Sequence, residues 1–144
     1  MKILVINGPN LNMLGIREPE IYGNKTYKDL EKYIYDVSKK CNLLNVEVFQ
    51  SNHEGVIVDK IQEAYFDRVD VIIINPGALT HYSYSVRDAI ASVNIKTIEV
   101  HLSDITKRDD FRKKSVLEEV VSLRFYGKGF LSYEEALHSL INKN

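Results

Sequence analysis

The stretch DVIIIN (70–75) decides the fold. It is a run of mainly β-branched apolar residues that ends at Asn75. A continuous apolar run of this length suits a strand that is buried on both faces, as strands of a parallel sheet are. Three other runs share the pattern, namely KILVI (2–6), NVEVF (45–49) and KTIEVH (96–101). The sequence therefore predicts a parallel sheet that contains these four strands.

Segments with a helical pattern lie between the strands and after the last of them, at 26–41, 55–67, 83–93 and 132–143. The first begins with Thr26 and Asp29 and the last with Ser132 and Glu135, and both pairs have the spacing of a capping box. Strands that alternate with helices indicate βαβ units and a doubly wound α/β fold with helices on both faces of the sheet. The segment VVSLRFYG (120–127) is a candidate fifth strand, although Arg124 weakens its pattern.

Composition limits the classes of function. The 144 residues fit one domain, 1–144, and a hydrophobic share of 44% is enough for a core. A formal net charge of −1 argues against nucleic acid or an anionic membrane as the main partner. The single cysteine, Cys41, excludes an intrachain disulfide and suits a reducing compartment. With no signal peptide and no membrane-length apolar run, the sequence predicts a soluble, cytoplasmic protein.

Polar residues follow each of the four predicted strands. They occupy 7–10 after the first, QSNHEG (50–55) after the second, NPGALTHYS (75–83) after the third and HLSD (101–104) after the fourth. Ligands of doubly wound folds bind outside the carboxyl ends of the strands. The sequence therefore predicts that these groups converge in one site.

Glu99 and His101 are the first candidates for chemistry at that edge. They are two residues apart on a strand, so their side chains point to the same face. A carboxylate orients an imidazole and favours its protonated form, which makes a general acid plausible. A structural histidine paired with a carboxylate explains the same residues. Metal ligation is not predicted, because no H-x-x-x-H or H-E-x-x-H motif occurs.

The segment VINGPNLNMLGIREPEIYG (5–23) is long for a connection after a strand, and such loops usually have a function. It contains no G-x-G-x-x-G and no G-K-[ST] nucleotide motif, and its NGPN is also compatible with a simple tight turn. Arg17 and Tyr22 share this loop. A guanidinium lowers the pKa of a nearby tyrosine, which would make Tyr22 a base near neutral pH. An exposed arginine and a tyrosine that serves only as a hydrophobic anchor are the alternative.

Five blocks of the sequence resemble the type II 3-dehydroquinate dehydratases in order and spacing. They are NGPNLNMLGIREPEIYG (7–23), QSNHEG (50–55), INPGALTHYSYSVRDA (74–89), IEVHLSDI (98–105) and FR (111–112). The resemblance implies a flavodoxin-like five-stranded fold and a hydro-lyase of the shikimate pathway. That enzyme converts 3-dehydroquinate to 3-dehydroshikimate by anti elimination through an enolate, without a metal or any other cofactor. The resemblance also implies a homo-oligomer in which trimers pack into a dodecamer.

The resemblance implies five catalytic residues. Tyr22 is the base and Arg17 keeps it ionised, in a loop that acts as a lid. Asn10 holds a water molecule against the enolate oxygen. His101 is the general acid for the leaving hydroxyl, and Glu99 positions it.

Six further residues correspond to positions that bind substrate or position these groups. Asn75 helps to position His101, Leu102 and Ser103 bind the carboxylate, His81 and Arg112 bind ring hydroxyls, and Asp88 reaches a neighbouring subunit's site. Taken alone, His81 is better explained as a helix cap, and Asp88 and Arg112 as members of exposed charged runs.

The chain departs from the family pattern in three places. Asp104 stands where the family usually has asparagine, TKRDD (106–110) replaces a more usual His-Ala-Arg-Glu segment, and 118–130 is charged and bulky where the family is small and glycine-rich. Two other functions are alternatives to the dehydratase. A flavodoxin-like module for a small anion or a flavin phosphate is compatible with the fold, but NGPNLN lacks serine and threonine. The second alternative is a catalytically inactive relative of these enzymes.

Overall fold

A computed structural model gives the fold and describes residues 1–16, 20, 23–107, 109 and 114–141. Its five strands pair in parallel in the order β2-β1-β3-β4-β5. This order is that of the flavodoxin-like doubly wound fold. The strands are β1 (Lys2–Asn7), β2 (Asn45–Gln50), β3 (Val71–Asn75), β4 (Lys96–Val100) and β5 (Leu123–Phe125). The predicted α/β class, the four strands and the candidate fifth strand are confirmed, the fifth as three residues only.

Within the described ranges, four α-helices cover the two faces of the sheet. They are α1 (Tyr27–Lys40), α2 (Glu54–Phe66), α3 (Tyr84–Val93) and α4 (Leu131–His138). Ile3 and Val5 of β1 pack in one buried cluster with α1 and α4. Leu4 and Ile6 pack in the other with α2 and α3. Because successive side chains of a strand point to opposite faces, a strand buried on both sides is apolar at most of its positions. No helix among the described residues is long and apolar enough to cross a membrane.

Helix starts follow the predicted capping in one case and contradict it in another. Thr26 Oγ1 accepts from the Asp29 N–H at 3.2 Å and Asp29 Oδ2 accepts from the Thr26 N–H at 2.8 Å, so the capping box of α1 is confirmed. The capping box predicted at Ser132 is wrong, because α4 begins one residue earlier, at Leu131. The chain already turns there, since the Leu131 N–H donates to the Lys128 carbonyl at 3.1 Å. Ser132 is buried and its Oγ accepts from the Lys128 N–H.

The turns after β1 and β3 pack backbone against backbone. The Gly8 N–H donates to the Asn75 carbonyl at 2.7 Å. A Cβ on Gly8 would lie 2.7 Å from the Pro76 carbonyl oxygen, and one on Gly77 would lie 2.9 Å from the Pro9 carbonyl oxygen. Gly77 also has a φ of +58°, a conformation that favours glycine. Both glycines therefore allow the two turns to meet at the carboxyl edge of the sheet.

Candidate active site

A carboxylate and an imidazole meet in the protein interior where β4 ends. Glu99 lies on β4 and is 0% exposed, and His101 directly follows the strand and is 5% exposed. The Nε2 atom of His101 lies 2.5 Å from Oε2 of Glu99. The His101 N–H also donates to the Phe125 carbonyl at 3.0 Å, which extends the pairing of β4 with β5. The structure thus confirms that Glu99 and His101, which the alternation of strand side chains predicts on one face, lie together.

Three other side chains surround the carboxylate of Glu99. The Thr80 hydroxyl lies 2.5 Å from Oε2, and the Ser115 hydroxyl lies 2.9 Å from Oε1 and 3.0 Å from Oε2. Arg124 Nε lies 3.4 Å from Oε1. Thr80 comes from the 3₁₀ helix after β3 (Gly77–His81), Ser115 from the segment before β5, and Arg124 from β5 itself. Glu99 therefore contacts two hydroxyls, one imidazole and one guanidinium.

These partners decide the charge of Glu99. Burial by itself raises the pKa of a carboxyl group, because a charge is poorly solvated inside a protein. Here the hydrogen bonds from His101 and Thr80 and the charges of His101 and Arg124 outweigh burial and bring the pKa of Glu99 below its ordinary value. Glu99 is therefore a carboxylate at neutral pH and an acceptor only. It follows that Nε2 of His101 carries a hydrogen, so Nδ1 is the ring nitrogen through which a proton can be exchanged.

A second, uncharged network lies under β1 and β3. The hydroxyl of Tyr133 donates to Asn7 Oδ1 at 2.6 Å and accepts from Asn75 Nδ2 at 2.8 Å. Asn7 Nδ2 in turn donates to the Tyr27 hydroxyl at 3.3 Å, and Asn75 Oδ1 accepts from the Gly77 N–H at 3.2 Å. Burial raises the pKa of Tyr27 to about 12 and raises that of Tyr133 further, so both hydroxyls stay protonated.

Asn10 stands in the turn after β1. Its φ is 71°, and its backbone N–H donates to Asn52 Oδ1 at 2.9 Å. The same Asn52 oxygen accepts from Gln50 Nε2 at 3.1 Å, and Gln50 Nε2 also lies 3.2 Å from the Gly8 carbonyl. The loop after β2 thus fixes the turn that presents Asn10, whose side chain is exposed.

The remaining predicted site residues lie in the segments around the Glu99–His101 pair or outside the described residues. His81 ends the 3₁₀ helix after β3, where its Nδ1 donates to the Lys114 carbonyl at 2.7 Å. The cap of α3 is instead Ser83, whose Oγ accepts from the Val86 N–H. Leu102 and Ser103 follow His101 and are half-buried, and Asp88 is exposed on α3. Arg17, Tyr22 and Arg112 lie outside the described residues.

Sequence reasoning missed three residues of this site. Thr80 and Ser115 are small polar residues in turns, and nothing in their local sequence distinguishes them from others of that kind. Arg124 did carry a signal, because an arginine inside an apolar strand requires a partner for its charge. The described ranges contain no group of three histidine, cysteine, aspartate or glutamate side chains that could hold a metal ion.

The arrangement supports proton transfer at a sheet edge. An imidazole oriented by a buried carboxylate is a general acid or base. Asn10 and Asn75 add uncharged hydrogen-bonding groups at the ends of neighbouring strands. A small polar molecule bound at this edge would meet the His101 imidazole beside neutral donors and acceptors.

The chain is similar over nearly its whole length to known proteins. The family model described as dehydroquinase class II matches residues 1–141. The 3-dehydroquinate dehydratase of Caldicellulosiruptor bescii is 57% identical over 141 residues, which is 96% of this chain and 95% of that protein.

Solved structures agree with this match. A type II dehydroquinase from Butyrivibrio crossotus is 56% identical with a TM-score of 0.95, covering 99% of this chain and 98% of that one. A second type II dehydroquinase, from Propionibacterium acnes, is 39% identical with a TM-score of 0.92 and covers 99% of this chain and 97% of its own.

Proposed function

The chain belongs to the class II dehydroquinase family, and we propose that it dehydrates 3-dehydroquinate to 3-dehydroshikimate in the shikimate pathway of aromatic amino acid biosynthesis. The family match over residues 1–141 and relatives more than half identical over nearly the full length support this function. The structural observation that carries it is the contact of buried Glu99 with His101 at the carboxyl edge of the sheet. An elimination of water requires an acid at the leaving hydroxyl, and this pair can supply one.

His101 is the general acid in the proposed mechanism. The imidazolium gives the hydrogen of Nδ1 to the β-hydroxyl, and the carbon–oxygen bond breaks as the electrons of the enolate form the carbon–carbon double bond. Water leaves, and His101 remains neutral with its hydrogen on Nε2, donated to Glu99. A proton from solvent then restores Nδ1–H for the next turnover.

Tyr22 and Arg17 supply the base in this proposal. Both assignments rest on the sequence resemblance, since neither residue is among those described. The Tyr22 phenolate takes the proton beside the ketone and releases it to solvent after the elimination, and the Arg17 guanidinium keeps the phenolate ionised. Asn10 holds a water molecule against the enolate oxygen, where a preorganised donor stabilises the developing charge. Its N–H contact with Asn52 supports a fixed position for that turn.

The other residues bind the substrate. Leu102, through its backbone, and Ser103 hold the carboxylate, and His81 and Arg112 hold ring hydroxyls. Asn75 lies at the end of the strand next to β4, where its amide is fixed by Tyr133 and Gly77. A side chain that is already fixed in position lowers the entropic cost of binding the substrate.

An ultraviolet assay tests the function. Metal-free protein is mixed with 3-dehydroquinate, and we expect absorbance of the conjugated enone of the product to rise. We expect Tyr22→Phe to bind substrate without turnover, because it lacks the base. The matched control is Tyr65→Phe, which changes a tyrosine that is 57% exposed on α2 and should keep wild-type activity. An absence of product from folded, assembled wild-type protein would instead favour an inactive relative.

The assembly and the location are part of the proposal. We expect trimers that pack into a dodecamer, with Asp88 of one subunit reaching a neighbour's site. Its exposed position on α3 is compatible with such a contact. Analytical ultracentrifugation of wild type and Asp88→Ala measures the assembly, and a monomeric active wild type would contradict it. One cysteine and a small-metabolite substrate favour the cytoplasm.

A further inference from the structure

Arg124 places a permanent positive charge beside the carboxylate of Glu99. The two residues are register partners on the neighbouring strands β4 and β5. Arg124 Nε lies 3.4 Å from Glu99 Oε1, and Arg124 Nη1 lies 3.5 Å from Oε1 of the exposed Glu118. The guanidinium carbon also lies 5.6 Å from the centroid of the Tyr126 ring. Arg124 thus lies between a buried and an exposed carboxylate, with its side chain 19% exposed.

The guanidinium acts on Glu99 by its charge. Two buried nitrogens of Arg124, Nε and Nη2, have no hydrogen-bond partner among the described residues. The contact with Glu99 is therefore an ion pair without a directed hydrogen bond. Burying such a group is costly unless an opposite charge lies close. Glu99 is that opposite charge, and its own hydrogen bonds come from Thr80, Ser115 and His101.

The proposed turnover changes the charge on one side of Glu99. His101 is cationic before it gives its Nδ1 proton away and neutral afterwards. A buried carboxylate that loses a cationic neighbour becomes an uncompensated charge, and it then tends to take a proton itself. The nearest such proton is the hydrogen on Nε2 of His101. Arg124 does not lose its proton at any pH where proteins work, so its charge persists through this step.

We propose that Arg124 is a positioning residue that acts through Glu99. It keeps Glu99 ionised throughout turnover, so Nε2 of His101 retains its hydrogen and Nδ1 is the atom that exchanges the proton. This inference rests on the proposed function, because it requires His101 to be the acid. It gives a role to the one charged residue of β5, in the segment that departs from the family pattern.

The charged and titrating groups that the structure places around Glu99 define the test. His101 faces it from the end of β4 and Arg124 from β5, and Glu118 faces the outer side of Arg124. Thr80 and Ser115 contribute hydroxyls that do not titrate in the working range. Without Arg124, His101 is the only cation left among these groups, and the pKa of Glu99 should rise.

Three variants separate charge from structure. Arg124→Met removes the charge, and Arg124→Lys keeps it on a shorter side chain. Arg87→Met is the matched control, since Arg87 also pairs with an exposed glutamate, Glu119 at 3.0 Å, and also has a buried Nε without a partner among the described groups. Each variant is assayed for kcat and KM with 3-dehydroquinate, and the carboxyl carbon of Glu99 is titrated by 13C NMR.

We expect kcat of Arg124→Met to fall about tenfold, a part of the roughly 10²–10⁴-fold that a general acid supplies. KM should stay within about twofold, because Arg124 is not among the proposed substrate-binding residues. Arg124→Lys should recover most of the lost kcat, and Arg87→Met should match wild type. The Glu99 titration should move to higher pH in Arg124→Met alone. If Arg124→Met does not fold, Arg124→Gln replaces it.

An unchanged kcat in the charge-deleted variant would overturn the inference. So would a loss of kcat that lysine does not restore while the Glu99 titration stays in place, because that result describes packing only. Wild-type protein that folds and makes no product would refute the proposed function instead. The NMR titration needs no activity, so it distinguishes the two failures.

Discussion

Replacing Tyr133 by phenylalanine should destabilise the protein far more than the loss of one hydroxyl normally does. Tyr133 is 1% exposed, and its hydroxyl serves both Asn7 Oδ1 at 2.6 Å and Asn75 Nδ2 at 2.8 Å. The two asparagines are themselves 0% and 3% exposed. The variant therefore leaves one buried acceptor and one buried donor without this partner.

The size of the effect follows from the two orphaned groups. A buried polar group left without a partner costs about 1–3 kcal/mol, so the pair should cost about 2–6 kcal/mol in the free energy of unfolding. For a chain of this length each kcal/mol lowers the melting midpoint by roughly 3 °C, which predicts a decrease of about 6–18 °C. Urea denaturation at a fixed protomer concentration measures the free energy directly.

Tyr35→Phe is the matched control. Its hydroxyl accepts from the Val48 N–H at 3.2 Å, but the side chain is 44% exposed and β2 is an edge strand. Water can replace that contact, so the free energy of unfolding should fall by only about 0.5 kcal/mol. If Tyr133→Phe were no more destabilised than Tyr35→Phe, the amides of Asn7 and Asn75 would have found other partners and the reasoning would fail.

Three further outcomes follow from the same contacts. Gly8→Ala should lower the free energy of unfolding, measured by urea denaturation, by about 1–3 kcal/mol, because its Cβ would lie 2.7 Å from the Pro76 carbonyl oxygen. The control Gly55→Ala, which has open space around it in α2, should not destabilise the protein. The folded-state pKa of Glu99 lies below its ordinary 4.5, so its contribution to stability is present above pH 4.5 and is lost as pH falls through the folded value. Glu99→Gln should therefore flatten the acid side of the urea-midpoint profile, and an equally steep profile would contradict this. The folded-state pKa of Tyr27 is raised from 10.0 to about 12, so stability should fall as pH rises from 10 to 12, and less steeply in Tyr27→Phe.

The sheet could be predicted from the sequence because a strand buried on both faces requires a nearly continuous run of apolar residues. The stretches VIII (71–74) and ILVI (3–6) are apolar at every position, and their residues are buried alternately against two different helix layers. The start of α4 could not be predicted, because Ser132 and Glu135 match a capping box in sequence. The turn at Gly129 and Phe130 had already begun the helix, and tertiary burial of Ser132 directs its hydroxyl to the Lys128 N–H.

The candidate site was predictable where it depends on local spacing. Glu99 and His101 share a face because strand side chains alternate, and this needs no knowledge of other strands. The partners of Glu99 depend on tertiary structure. Arg124 meets it only because β5 pairs with β4 in one particular register, and Thr80 only because a 3₁₀ helix follows β3. Since a shift of one residue would turn Arg124 to the opposite face, no local pattern could identify the pair.

The two hydrogen-bond networks at the carboxyl edge differ in charge: one is neutral and the other contains the ionised Glu99. Asn7, Asn75 and Tyr133 exchange hydrogen bonds without titrating, because amides do not ionise and burial keeps the tyrosine protonated. The charges described at this edge are concentrated around Glu99, whose ionised state fixes the hydrogen on one nitrogen of His101. The network of Asn7, Asn75 and Tyr133 would therefore keep the same hydrogen-bond pattern while the imidazole changes its charge. This separation allows one proton to move at His101 without rearranging the neighbouring network that fixes the side chain of Asn75.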